Sequence, residues 1–232
     1  MRRVVWILGS LALVVGCRTR VQTPEGPGFI PYTLDDYESD ALEACLKEKS
    51  WRGKSAGHLC NDIAKSAADH DVIAAARFYW KRGCSTLHDG TACTSMGKAI
   101  APVPVVREHK DERGAITEQV DYDGSALDAS MDPGEAAQVR EALKRECERG
   151  VKTYTGEDVT GHVCALTAVA FQELEPKDAK MSVTLFDRAC SHSDKASCMA
   201  VKAIHAQHAQ DAKDAHDAKA AKEQERESEK SE

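Results

Sequence analysis

Trp80-Lys81-Arg82-Gly83-Cys84 and Phe186-Asp187-Arg188-Ala189-Cys190 are two versions of one pattern, set 106 residues apart. In each, an aromatic residue leads, an arginine follows two later, and a cysteine comes two after that. A second cysteine follows each, Cys93 after nine residues and Cys198 after eight. Upstream, Gly57-His58-Leu59-Cys60 matches Gly161-His162-Val163-Cys164, and Lys49-Ser50-Trp51-Arg52-Gly53 matches Lys152-Thr153-Tyr154-Thr155-Gly156. The cysteine intervals are 15, 24 and 9 in one set (Cys45, Cys60, Cys84, Cys93) and 17, 26 and 8 in the other (Cys147, Cys164, Cys190, Cys198). Ordered matches at a fixed offset are the signature of a duplicated unit. The reading divides the chain into a first module at 35–101, an insert or linker at 102–134 and a second module at 135–206.

The flanks of the cysteines predict helices. Asp71–Arg82 has no Pro or Gly, and Val72, Ala75, Ala76 and Tyr79 recur at helical spacing. Gly83 reads as its stop signal. Thr91–Ile100 is a second helix, ended by Pro102. Glu135–Arg149 is helical, with Pro133 at a natural start and Gly150 at its end. Val159–Leu174, Lys177–Cys190 and a last helix opening at Ala196 complete the set. Each unit is therefore a helix with a cysteine near its end, a loop, and a second cysteine near the start of the next helix.

Phe186-Asp187-Arg188-Ala189-Cys190, seven residues and Cys198, with Ala196 and Ser197 before the second cysteine, resembles the Sel-like repeat. Gly83-Cys84 with Thr91-Ala92-Cys93-Thr94-Ser95-Met96-Gly97 resembles it equally. That family is an α/α hairpin related to the tetratricopeptide repeat. The resemblance is closest to a bacterial cysteine-rich branch, in which two cysteines about eight apart clamp each hairpin. It implies an all-α fold, an array of about four disulfide-clamped hairpins in two duplicated modules. The Cys45/Cys60 and Cys147/Cys164 units depart from it, because 14 and 16 residues separate their cysteines. The implied pairing is local: Cys45–Cys60, Cys84–Cys93, Cys147–Cys164 and Cys190–Cys198. Two antiparallel helices bring such cysteines within the Cα separation that a disulfide requires. Nested pairing within each module is the competing scheme. Loops of this size stabilise by about 2.5–3 kcal/mol each in the chain-entropy account, so four bonds rival the whole stability of a small domain.

The amino terminus sets the expected compartment. Arg2-Arg3 precede an apolar run, Val4–Val15, too short to cross a bilayer and suited to a secretory signal. Val14-Val15-Gly16-Cys17 resembles the lipobox of bacterial lipoproteins. The resemblance implies cleavage of residues 1–16 and lipidation of Cys17. Arg18 follows, not the Asp of inner-membrane retention, so the expected location is the outer membrane, lipid-anchored and facing the periplasm or the surface. Residues 17–34, with Pro24, Gly26, Pro27, Gly28 and Pro31, read as a lipidated flexible tether. The chain of 232 residues carries a net charge of −7, and losing Arg2 and Arg3 takes it to −9. That balance excludes a nucleic-acid binder built on a basic face.

The insert, with Val103, Val105, Val106, Ile116, Val120 and Tyr122, fits a small β-hairpin turning near Arg113-Gly114, or an irregular loop. Residues 207–232 are Ala-rich and charged, either a solvated helix or a disordered tail. His205, His208 and His216 there are weak candidates for metal ligands, set against plain solvated surface. No metal or other cofactor is expected. His58 and His162, each two residues before a cysteine, read as structural. No zinc-protease motif, phosphate loop or dinucleotide fingerprint is present, and no catalytic residue is assigned. The expected function is a non-enzymatic scaffold for an unidentified protein or peptide partner. Trp51, Tyr154, Tyr79 and Trp80 are its candidate anchors, with ordinary repeat core as the alternative for each. A hydrolase acting on cell-wall or β-lactam substrates, as reported for some cysteine-rich Sel-like proteins, is the first alternative. A metal-binding lipoprotein is the second.

Overall fold

The computed structural model describes residues 26–124 and 131–230, without the side chains of 215–217 and 220–230. The expected signal peptide and Cys17 lie outside the described residues. Among the described residues, eight α-helices and one two-stranded sheet follow in order: α1 Asp36–Leu46, α2 Ala56–Asp69, α3 Ile73–Lys81, α4 Gly90–Ile100, β1 Val103–Lys110, β2 Ile116–Asp123, α5 Pro133–Arg149, α6 Thr160–Glu173, α7 Ala179–Ser191 and α8 Lys195–Lys230. The fold is mostly helical. The insert forms the hairpin alternative, with β1 and β2 antiparallel and Lys110 opposite Ile116 across the turn.

Local chemistry explains where the helices begin. Asp35 caps α1 in a reciprocal capping box with Glu38. Ser55, Asp89, Asp132 and Asp178 cap α2, α4, α5 and α7 with side-chain oxygens. Helix α3 starts two residues later than predicted because Asp71 adopts a positive φ of 58°. Its end also differs. Gly83 does not stop the chain; a π-helical turn carries it through Arg82–Thr86. A Cβ at Gly83 would lie 2.7 Å from the Ala92 Cβ and 2.8 Å from the Gly57 carbonyl oxygen. The glycine is there for close helix approach, not for termination.

Four disulfides join Cys45–Cys60, Cys84–Cys93, Cys147–Cys164 and Cys190–Cys198, at Cα separations of 5.0, 4.5, 4.9 and 4.6 Å. This is the local scheme, not the nested one. Backbone features recur with the cysteines. Glu48 and Gly150, each three residues past the first cysteine of its set, both take positive φ. So do Gly53 and Gly156, and His88 and Ser193.

One core runs through the helices, from Leu42, Leu59, Ile63 and Tyr79 to Leu143, Val163 and Phe186. The two halves meet where α4 packs on α6. A Cβ at Gly97 would stand 2.8 Å from the Leu166 Cδ1. Gly90 donates its amide to the Lys152 carbonyl at 2.9 Å, and Glu146, only 2% exposed, accepts from His88 Nδ1 at 3.0 Å.

The described part of the expected 17–34 tether, from residue 26 onward, packs on the body. Gly28 and Ile30 are buried, and the Tyr79 hydroxyl donates to the Gly28 carbonyl at 2.9 Å. Tyr32 stacks on His70 at 3.9 Å and bonds Ser66. Burial of these residues outweighs the turn-forming composition that reads as linker. Helix α8 runs to Lys230. Its start is anchored by Ala196, Ala200 and Val201, and from His205 onward its described side chains are exposed. Alanine recurs every third residue from Ala203 to Ala218, a period that drifts around a 3.6-residue helix and leaves no fixed apolar face.

Candidate functional site

Where α1, the Trp51–Lys54 turn and the start of α2 meet, polar and aromatic side chains form a continuous ribbon. Trp51 and Lys54 are paired across the turn through both backbone amides, and Gly53 supplies the positive φ of 77° it needs. Trp51 leans against Tyr37 at 5.3 Å between ring centroids. The exposed Arg52 guanidinium lies 4.4 Å over the Trp51 ring, a cation–π arrangement. The Lys54 ammonium donates to Asp62 Oδ2 at 2.7 Å and to the Tyr37 hydroxyl at 2.8 Å. That hydroxyl in turn donates to the same Asp62 oxygen at 2.6 Å. His58 Nε2 is 3.6 Å from Asp62 Oδ1. Its ring meets Tyr154 at 4.1 Å. Tyr154 belongs to the second half of the chain, so the ribbon crosses the joint.

The electrostatics follow from the contacts. The Asp62 carboxylate holds the Lys54 ammonium well above its ordinary range. Burial alone would push Asp62 up; the hydrogen bonds from Lys54 and Tyr37 outweigh it and hold the carboxyl down. Burial pushes the His58 imidazole down despite the nearby Asp62 and Asp89 carboxylates. The ribbon therefore presents one fixed ammonium–carboxylate pair, a neutral imidazole and two partly open aromatic faces near neutral pH.

The four candidate anchors separate here. Trp51 is half-buried and Tyr154 is 43% exposed, and both sit on the ribbon. Tyr79 and Trp80 do not. They are 0% and 6% exposed and belong to the hydrophobic core, so neither presents a face to a partner. Helical spacing put Tyr79 on one stripe with Ala75 and Ala76, and that stripe points inward; Trp80, outside it, is buried as well. Tyr37, Arg52, Lys54 and Asp62 escape sequence reasoning, because nothing in their spacing marks them. Only the fold of the 51–54 turn onto α1 brings them together. His205 and His208 are exposed on α8, and the His216 side chain lies outside the described ones. No cluster of three metal-ligating side chains occurs among the described residues.

Two short strings carry the spacing of serine-hydrolase motifs. Gly53-Lys54-Ser55-Ala56-Gly57 has the Gly-x-Ser-x-Gly spacing. Its Ser55 is an ordinary helix cap, at φ −68° and ψ 156°, accepting from the His58 amide at 3.1 Å and donating to Asp89 Oδ2 at 3.0 Å. It is not the strained strand-to-helix elbow that exposes a nucleophile, and His58 Nδ1 is buried with no hydrogen-bond partner. Ser95-Met96-Gly97-Lys98 has the Ser-x-x-Lys spacing and lies on α4. Lys98 lines a cleft of about 330 Å³ with Thr94, His162 and His192, and Ser95 does not line it.

Comparison with protein-family models, with curated proteins and with solved structures finds no match to this chain.

Proposed function

We propose that the chain is a bacterial outer-membrane lipoprotein whose disulfide-clamped helical hairpins form a Sel/tetratricopeptide-like repeat array and act as a scaffold for a protein or peptide partner. Lipidation at Cys17 anchors it, and residues 18–25 lead from the anchor to the body. The matching donations of Arg82 to the Cys45 and Leu46 carbonyls and of Arg188 to the Cys147 and Glu148 carbonyls, the paired positive-φ positions and the recurring cysteine bonds support the repeat reading. The ribbon from Trp51 to Tyr154 carries the scaffold reading. It joins aromatic faces and an exposed cation on a surface that spans both halves, the composition found at interaction hot spots.

The test is chemical crosslinking and co-purification of the full-length lipidated protein from its membrane. A defined partner whose recovery falls at least tenfold with Trp51→Ala and Tyr154→Ala together supports the scaffold. Recovery unchanged by that pair removes the ribbon as the binding surface. Turnover of a chromogenic β-lactam by the purified protein replaces the scaffold with the hydrolase. Loss of membrane partitioning in Cys17→Ser supports the anchor, and unchanged partitioning refutes it.

A further inference from the structure

Six of the eight bonded cysteines are completely buried: Cys45, Cys60, Cys84, Cys93, Cys147 and Cys164 are each 0% exposed. Cys190 and Cys198 are only half-buried. The cause is visible at the joint. In the first half, the loop between Cys84 and Cys93 is covered by the second half. The Lys152 carbonyl accepts from Gly90, His88 pairs with Glu146, and the Val159 side chain crowds Gly90. The corresponding loop between Cys190 and Cys198 is bare. Ser191, His192, Ser193 and Lys195 are exposed, and His192, Ser193 and Asp194 form one wall of the open cleft beside Lys98 and His162. Where Gly90 admits the neighbouring backbone, Lys195 stands instead, and its ammonium pairs with Glu118 of β2.

We propose that Cys190–Cys198 is a thiol-exchange site, the one disulfide of the four that a dithiol reductant opens while the protein stays folded. Exchange requires in-line approach of a thiolate to a sulfur, and exposure decides which bond is reached. The attacking thiolate bonds to the Cys190 sulfur, and the bond between the two cysteines breaks. The electron pair leaves on the Cys198 sulfur, in the early turns of α8, where the helix amino end favours an anion. The second thiol of the reductant then displaces Cys190. Two cysteine thiols and one reductant disulfide result, with two electrons transferred. The bond ties the end of α7 to the start of α8, so its opening loosens the root of the long α8 helix. The Glu118–Lys195 contact that holds the hairpin to that root loosens with it.

The test is partial reduction with dithiothreitol under native conditions, trapping with N-ethylmaleimide and peptide mapping. Cys190 and Cys198 are expected to be labelled at least tenfold faster than the other six, with unchanged helical circular dichroism. Labelling of all eight at one rate, or of a buried pair first, overturns the proposal. Hydrogen exchange on the selectively reduced protein reads the consequence. Amides of residues 195–204 are expected to exchange faster while α1–α4 are unchanged, and equal protection before and after reduction refutes the loosening of α8. The Cys190→Ser, Cys198→Ser double variant should reproduce the reduced state; if it does not fold, reduced wild type supplies the same measurement.

Discussion

Arg188 donates from Nε to the carbonyl oxygen of Cys147 at 3.0 Å and from Nη2 to that of Glu148 at 2.7 Å. Arg82 does the same to Cys45 and Leu46, at 3.4 and 3.1 Å. The acceptors are carbonyls in or beside the last turns of α5 and α1, groups that have no partner within their own helix. A planar guanidinium spans two such oxygens at once. The arginine that leads each cysteine in the sequence is thus a cap for the helix that carries the other disulfide of its half.

Removing that cap has a stated cost. Arg188→Ala is expected to destabilise by about 1.5 kcal/mol, since a hydrogen bond to a charged group is worth about that much when partly exposed. Arg188→Lys should recover less than half, because an ammonium cannot hold the two-carbonyl geometry. Urea denaturation followed by circular dichroism measures both. A loss below a few tenths of a kcal/mol would show that the carbonyls are served equally well by water.

The joint depends on Gly90. A Cβ there would come 2.5 Å from the Val159 Cγ2 and 2.9 Å from the Lys152 carbonyl. Gly90→Ala is therefore expected to cost about 1–3 kcal/mol from overpacking, despite the better helix propensity of alanine. Limited proteolysis should then cut within 150–160, the segment displaced. A stability equal to wild type would mean that the joint yields without loss.

The Cys147–Cys164 bond is fully buried and closes the longest of the four loops. The Cys147→Ala, Cys164→Ala pair is expected to lose about 2–5 kcal/mol, measured as a lower denaturation midpoint. Because α5, α6 and α7 share that core, the transition should also broaden. An unchanged midpoint would place the stability elsewhere.

Acid should weaken the fold through two histidines. Burial pushes both His58 and His162 below the ordinary imidazole value, with Lys98 adding to the effect on His162. In the unfolded chain each binds a proton near pH 6.5, before the folded protein does. The unfolded state then holds more protons, and stability falls as pH drops from about 6.5 through the folded values. His58→Gln and His162→Gln together should flatten that slope between pH 6.5 and 5 in thermal unfolding. A slope unchanged by both substitutions would assign the acid sensitivity to other groups.

Much of this was written in the chain. Periodicity with its Pro and Gly signals outlined the helices from α3 onward, and the local one of the two cysteine pairing schemes is the one that forms, because both signals are local and read within a few turns. Gly83 and residues 26–32 misled for the same reason. A glycine and a run of Pro and Gly signal a stop and a linker only when nothing packs against them. In the tertiary structure Gly83 lets α2 and α4 approach, and Gly28 accepts from Tyr79. The alternation in the insert left hairpin and loop open until pairing along β1 and β2 settled it.

What the sequence alone determined is the identity and spacing of eight cysteines and the amphipathic helices around them. What only the tertiary structure decided is which side of each helix meets solvent and which loop is covered. Trp51 and Trp80 are the same residue type, each a few residues from a bonded cysteine, yet one joins a surface ribbon and the other is core. Four disulfides of similar span differ in exposure because the second half buries the loop of the first and leaves its own open. Exposure is a property of long-range packing, and no local pattern of residues encodes it.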